Sequence, residues 1–257
     1  MRDDPGTVRG PDWWLALNVA WWRVTIGPEY EPSAADRRDV TLVGLALPSR
    51  ATVAILAVTA LILVDQLRLL GPALGLPDAG GGLRSVPVSR FLLFLVAPVA
   101  IVLVGFRDDV RRYGLRLGDW RWGAGLLSAG LVVMTPIILA LSGLESFRAF
   151  YGGGQPVALG DALANNLVEL VPAEFLLRGF LMFALWRRIG PLALVVVQVP
   201  FILTHLGKPD VELWSTFIGG TVFAWLDWRT GSILWSALGH VYVLTLMLIA
   251  VGGATVS

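Results

Sequence analysis

Long apolar segments separated by short polar connections fill this chain from about residue 49 onward. Seven of them are predicted transmembrane helices, at 49–70, 88–106, 123–142, 161–187, 191–206, 213–228 and 231–252. A straight crossing of a bilayer takes about 20 apolar residues. The fifth and sixth segments are shorter, so we expect bilayer thinning, deep burial or merged boundaries there. The pattern predicts an all-α fold, a polytopic membrane helical bundle.

The N-terminal part has a different pattern. Residues 12–26 combine apolar positions at helical spacing with four tryptophans, but the stretch is short and is interrupted by Asn18 and Arg23. An interfacial amphipathic helix is therefore expected, rather than a span. Residues 27–48, rich in Pro, acids and arginine, are predicted to be a polar connector. We thus expect an N-terminal part, 1–48, and a transmembrane domain, 49–257, whose motif-bearing core is 161–252.

Arginines indicate the orientation, because cytoplasmic connections carry an excess of positive charge. They cluster before the first span, between the second and third, and between the fourth and fifth, at Arg37, Arg38, Arg50, Arg107, Arg111, Arg112, Arg116, Arg121, Arg187 and Arg188. These connections and the interfacial helix are predicted to be cytoplasmic, with the C-terminus outside. We expect a multi-pass protein of the cell membrane, the inner membrane if the source is bacterial.

Composition narrows the classes of function. The chain is 56% hydrophobic and 15% charged, and its 20 Lys and Arg nearly balance 19 Asp and Glu. This balance gives no reason to expect a nucleic-acid partner; the expected partners are the lipid bilayer and a peptide or protein substrate at or in it. There is no cysteine, which excludes disulfides and thiolate nucleophiles.

Four ionisable residues inside the predicted spans are candidates for chemistry. They are Glu174, Arg178, His205 and His240, and the two histidines are the only ones in the chain. A charge at the bilayer centre costs about 2.5–3.5 kcal/mol on insertion scales, so such residues are functional candidates by default. Glu174 and Arg178 have the i,i+4 spacing of an ion pair. The alternatives are a structural salt bridge and histidines that only satisfy helix packing.

Depth along the helices suggests how these side chains meet. At about 1.5 Å per residue, Glu174 and His205 both lie roughly 20 Å from the cytoplasmic ends of their spans, whereas His240 lies at about 13 Å. Pro172 removes a backbone hydrogen bond and can open a polar cavity beside the acid. Asp65, near the end of the first span, is expected to form an interfacial pair with Arg68.

The order of these residues resembles the CPBP family of intramembrane proteases, which includes the CAAX prenyl endopeptidases and bacteriocin-processing or self-immunity proteins. The family pattern is E-E-x-x-x-R-G, then F-x-x-x-H, then T-G-S-[IL] leading to H-x-x-x-[ND]. Here AEFLLRG, FILTH and RTGSILWSALGH occur in that order within residues 172–240. The sequence departs from the pattern at Ala173, where the family has the first glutamate, and at Leu244, where it has Asn or Asp.

The resemblance implies an intramembrane endopeptidase with Glu174, His205, His240 and Arg178 in its site. In the family, the paired glutamates and the first histidine are implicated in activating a water, and the last histidine and the Asn in stabilising the oxyanion. We expect Glu174 and His205 to act on the water and His240 on the oxyanion, with no cofactor. Two histidines and a glutamate also make a catalytic zinc ligand set, so a zinc-dependent mechanism is the less favoured alternative.

Two further functions remain open from the sequence. Ala173 and Leu244 favour a catalytically inactive membrane protein of the same fold, acting as a partner-binding, immunity or scaffold protein. A proton-coupled carrier is also conceivable, but the chain lacks the internal repeats and paired broken helices of carriers. The sequence does not identify the substrate or the oligomeric state.

Overall fold

A computed structural model describes residues 30–255 of the chain. The expected interfacial helix at 12–26 lies outside this range. The described part is mostly helical. Its longer helices are α1 (Ser49–Gln66), α2 (Ser85–Gly105), α3 (Trp120–Ser142), α4 (Glu145–Tyr151), α5 (159–189), α6 (Leu192–Leu203), α7 (Asp210–Thr230) and α8 (Leu234–Ala250).

Three of these helices, α1, α2 and α3, are long and apolar enough to cross a membrane. The helices α6 and α8 are apolar but shorter. All seven predicted segments coincide with helices, so the helical part of the expected fold is confirmed. The count of seven spans stays a prediction, because length and hydropathy identify three candidate spans within residues 30–255.

Helix α5 forms the centre of the fold. It consists of Leu159–Glu174, a π-helical segment Phe175–Leu181, and Met182–Ile189, which follow one another without a break. Its middle is buried all round and packs against α1, α2, α7 and α8. A helix that is apolar on every face belongs in the interior of a bundle, and this central position lets α5 present side chains to several neighbours.

Short strands occur at two places. Asp39–Leu42 (β1) and Leu45–Pro48 (β2) form an antiparallel hairpin with Asp39 opposite Pro48. Val157–Ala158 (β3) pairs in parallel with Ala254–Thr255 (β4), which ties the start of α5 to the end of α8. The hairpin lies within the segment expected to be a polar connector. Its strand signal is the alternation of apolar residues, Val40 and Leu42 in β1 and Leu45 and Leu47 in β2.

The expected pairing of Asp65 with Arg68 is wrong. The carboxylate of Asp65 accepts hydrogen bonds from the guanidinium of Arg90 on α2, at 2.9 and 3.1 Å. Arg68 follows the end of α1 with a positive φ of 54°, which takes it out of the helical register that the i,i+3 pairing assumed. The pair therefore links two helices instead of closing one helix end.

Candidate active site

The local geometry of α5 directs the side chains of Glu174 and Arg178 into the core. Pro172 lacks the N–H that would continue the helical ladder, and the π-helical segment begins three residues later. A Cβ on Gly179 would lie 2.7 Å from the carbonyl oxygen of Tyr113, so a side chain there would force the backbones apart. Glu174 and Arg178 are consequently both buried, at 0% and 1% exposure.

Glu174 uses both carboxylate oxygens. Its Oε1 lies 2.7 Å from Nδ1 of His240, and its Oε2 accepts a hydrogen bond from Arg178 and one at 3.3 Å from the hydroxyl of Ser236. The i,i+4 pairing expected from the sequence is therefore present. The same carboxylate also joins α5 to α8, through Ser236 and His240, which are one helical turn apart.

Arg178 is held mainly by aromatic rings. Its guanidinium lies 4.1 Å from the centroid of Phe201 and 5.6 Å from that of Phe223, which is cation–π geometry. Within residues 30–255, its Nε and Nη2 have no hydrogen-bond partner. The charge thus faces Glu174 through one nitrogen and aromatic surface on α6 and α7 elsewhere.

His205 lies in the turn that follows α6. Its Nδ1 is 2.8 Å from the carbonyl oxygen of Phe201, four residues earlier, and its ring stands edge-on to the ring of Phe201. A carbonyl oxygen can only accept, so Nδ1 carries the proton and Nε2 keeps its lone pair. The F-x-x-x-H spacing therefore fixes the tautomer that can act as a base.

His240 reaches the same place from α8. Its approach depends on Gly231, which ends α7 in the left-handed conformation at a φ of 68° and lets the chain turn back into α8. The rings of His205 and His240 are nearly parallel, at 19°, with centroids 6.4 Å apart. The two imidazoles, from α8 and from the turn after α6, therefore lie side by side in one site.

Both imidazoles line a cavity of about 180 Å³ between α2, α3, α5, α6 and α8. Its wall is predominantly apolar, with Phe94, Ile138, Leu141 and Leu176 among the lining residues. Glu174 does not line it; the carboxylate stands behind His240. Ala173 and Leu244, the two departures from the family pattern, both face the cavity.

Other charged groups at the cavity are paired. Arg90 bonds Glu169 as well as Asp65. Lys208 lies 2.7 Å from Glu212, and both oxygens of Glu212 accept from the hydroxyl of Tyr151. The cavity therefore holds four further ionised groups in two ion pairs, which the sequence pattern did not single out.

The positions of the donor groups bear on the zinc alternative. Within residues 30–255, no three His, Asp or Glu side chains are grouped so that they could hold a metal ion. In the observed arrangement, Nδ1 of His240 and Nδ1 of His205 already face Glu174 and the carbonyl of Phe201.

The helical bundle, its apolar spans and a buried acid–imidazole site define a membrane protein with the features of a hydrolase. The family model described as type II CAAX prenyl endopeptidase, Rce1-like, matches residues 155–246. This is a family of membrane peptidases, and the match confirms the resemblance to the CPBP proteases over the segment that carries α5 to α8. No curated protein and no solved structure gives a significant match to the chain.

Two site residues were missed from the sequence. Ser236 bonds Glu174 and also Asp227, whose Oδ2 lies 2.7 Å from the serine hydroxyl, and both residues are fully buried. Signals for them existed: Ser236 precedes His240 by four residues on one helix face, and Asp227 is an acid inside the apolar run FAWLDW.

Proposed function

We propose that this protein is an intramembrane endopeptidase of the CPBP type that hydrolyses a peptide bond of a membrane-associated substrate. The observation that carries the proposal is the pair of imidazoles, each with Nδ1 engaged, that face one largely apolar cavity. A largely apolar cavity with a few polar groups is the usual form of a substrate site. The substrate would enter from the bilayer or its surface, and no cofactor is required.

His205 is the proposed base. Its Nε2 removes a proton from the water, whose oxygen attacks the peptide carbonyl carbon. The same nitrogen then returns the proton to the amide nitrogen as the C–N bond breaks, which gives an amine and a carboxyl product. Its Nδ1 faces a neutral carbonyl and not a carboxylate, so in this mechanism the ring is neutral before it accepts the proton.

His240 is the proposed oxyanion donor. Its Nδ1 faces Glu174, so an imidazolium here has a counter-ion and can donate from Nε2 to the developing negative charge. Glu174 is buried behind His240, and we propose that it acts on the reaction through that imidazole. Arg178 is the proposed positioning residue that holds Glu174 in place.

The test compares cells that produce the wild type, His205→Ala or His240→Ala, by mass spectrometry of new protein termini in their membranes. Termini that appear only when the wild type is produced should fall in abundance by about 10²-fold or more in each variant, the usual range for a lost acid or base. Thr59→Ala, on the exposed face of α1, is the matched control and should leave them unchanged. Equal termini in all four samples would refute the protease.

A second candidate function is supported by the two departures. Ala173 and Leu244 place a methyl and an isobutyl group on the cavity wall at positions where the family pattern has polar groups. Such a cavity could hold an apolar partner segment without cutting it. If the protein only binds a partner, no new termini should depend on His205. Cross-linking from the cavity should then capture the same protein in the wild type and in His205→Ala.

A further inference from the structure

Behind the imidazoles, three oxygen-bearing side chains form an unbroken buried chain. Asp227 Oδ2 lies 2.7 Å from Ser236 Oγ, which lies 3.3 Å from Glu174 Oε2, and Glu174 Oε1 contacts His240. Asp227, Ser236 and Glu174 are each 0% exposed. The chain runs from the cavity wall to the last turn of α7, where Asp227 lies three residues before the helix end at Thr230.

The number of protons in this chain decides its charge. Ser236 Oγ has three oxygen neighbours, because the carbonyl of Ile233 also lies at 3.0 Å. If both carboxylates were ionised, all three neighbours would be acceptors, and a hydroxyl carries only one proton. Two of the contacts would then oppose lone pairs in a buried setting, which is unfavourable. One additional proton, on one of the carboxyl groups, lets that group donate to Ser236 and leaves only the contact with the carbonyl of Ile233 without a proton.

The surroundings assign that proton to Asp227. Glu174 has Arg178 and His240 as partners, so its ionised form is stabilised. Within residues 30–255, Oδ1 of Asp227 has no hydrogen-bond partner. An ionised Asp227 would thus be a second buried negative charge beside Glu174, with a bare oxygen.

Other polar groups near Asp227 are committed elsewhere. The hydroxyl of Tyr30 donates to the carbonyl of Trp228 at 2.8 Å, and Nε of Arg116 donates to the carbonyl of Gly231. The strongest charge effects on Asp227 come from Glu174 and Arg178, both on α5. Neither makes a hydrogen bond to it among the described residues.

We propose that Asp227 is a neutral carboxylic acid that donates its proton to Ser236, which in turn donates to Glu174. It is a positioning residue: it keeps one negative charge behind His240 and fixes the direction of every hydrogen bond in the chain. This role in the reaction rests on the proposed function, whereas the protonation of Asp227 does not. Its ionisation would place two negative charges behind one imidazole and weaken the hydrogen bond to the oxyanion.

Infrared difference spectroscopy on the full chain in lipid nanodiscs tests the protonation. A protonated carboxyl group gives a C=O stretching band distinct from those of ionised carboxylates, and ¹³C-labelled aspartate shifts it. We expect Asp227→Asn to remove this band at neutral pH, and Ser236→Ala to shift it without removing it. Asp36→Asn, which alters an ionised and fully paired aspartate, is the control and should leave the band unchanged.

The outcomes separate the two proposals. The proposal that Asp227 is protonated is refuted if Asp227→Asn removes only bands of ionised carboxylates. It is also refuted if neither the wild type nor Ser236→Ala shows a carboxylic acid band from labelled aspartate. Both results hold whatever the proteolytic activity. Where cleavage is measurable, the wild type should lose activity at the alkaline pH at which the band disappears, and Asp227→Asn should retain activity there. Identical pH profiles for the two proteins would refute the positioning role.

Discussion

Two clusters of acids and bases are built into this fold, and they are completed to different degrees. The outer cluster consists of Asp36, Arg50, Asp108 and Arg112, near the start of α1 and the end of α2. The inner cluster consists of Glu174, Arg178, Asp227, Ser236 and His240. Both contain two carboxylates and at least one arginine, but they differ in how many of their polar atoms have a hydrogen-bond partner.

The outer cluster is saturated. Arg50 donates to Asp36 and Asp108 at 2.7 Å each and to the carbonyl of Phe106 at 2.8 Å. Asp36 also accepts from Arg112 and from the backbone and hydroxyl of Ser33. Each charge has opposite charges around it, so the cluster is suited to join the chain before β1 to α1 and to the connection after α2.

The inner cluster is incomplete. Two nitrogens of Arg178 and one oxygen of Asp227 lack partners among the described residues, although all are buried. Unsatisfied buried polar atoms are rare and call for an explanation, of which a catalytic role is one. The two clusters therefore differ in how completely their buried polar atoms are paired.

The largest effect should come from breaking the inner pair on one side. Arg178→Met removes the cation and leaves Glu174 buried, so we expect a loss of about 3–5 kcal/mol in the free energy of unfolding. Unfolding in mixed micelles of mild detergent and dodecyl sulfate measures it. Glu174→Gln combined with Arg178→Met removes both charges and should recover most of the loss. A single variant as stable as the wild type would contradict a buried ion pair.

The outer cluster should respond less. Arg50→Met leaves Asp36 and Asp108 with Arg112, which is partly exposed, so a loss of about 1–3 kcal/mol is expected at pH 7. Termini that depend on the wild type should stay unchanged, because Arg50 does not line the cavity. A selective loss of cleavage with full stability would show that the outer cluster is not merely a clamp.

The same variant should lose its effect in acid. Burial disfavours the charge of Asp36, but hydrogen bonds from Ser33, Arg50 and Arg112 outweigh it and lower its pKa below the usual 3.8. A carboxyl group with a lowered folded pKa stabilises fully above its unfolded pKa, and this contribution is lost as pH falls through the folded value. The stability difference between the wild type and Arg50→Met should therefore shrink below about pH 3.8. A difference independent of pH in this range would argue against the ion pair.

The two clusters also show what a sequence reveals. Glu174 and Arg178 are four residues apart on one helix, and the histidines stand alone in apolar runs, so local spacing and composition sufficed to select them. Arg50 finds Asp36 and Asp108 at separations of 14 and 58 residues. The spacing of residues along a helix or strand does not predict contacts over such sequence separations. For the same reason, the sequence paired Asp65 with Arg68 rather than with Arg90.

Asp227 and Ser236 fall between these cases. Each has a local signal, but only the turn at Gly231 brings α7 and α8 together so that the two side chains meet. The position of Glu174 relative to His240 was equally hidden. Spacing placed the carboxylate near the site, but only the coordinates put it behind the imidazole, away from the cavity.

The smallest effect should come from an ion pair at the surface. Arg188 lies 2.9 Å from Asp39, and both side chains are substantially exposed, at 26% and 46%. Water and salt screen such a pair, and holding two flexible side chains in one geometry costs entropy, so Arg188→Ala should change the free energy of unfolding by less than about 1 kcal/mol. The same micelle titration, repeated at high salt, measures it, and wild type and variant should converge. A loss as large as that of Arg50→Met would mean that burial and completeness of pairing do not determine how much stability Arg178, Arg50 and Arg188 contribute. The distinction between the clusters would then fail.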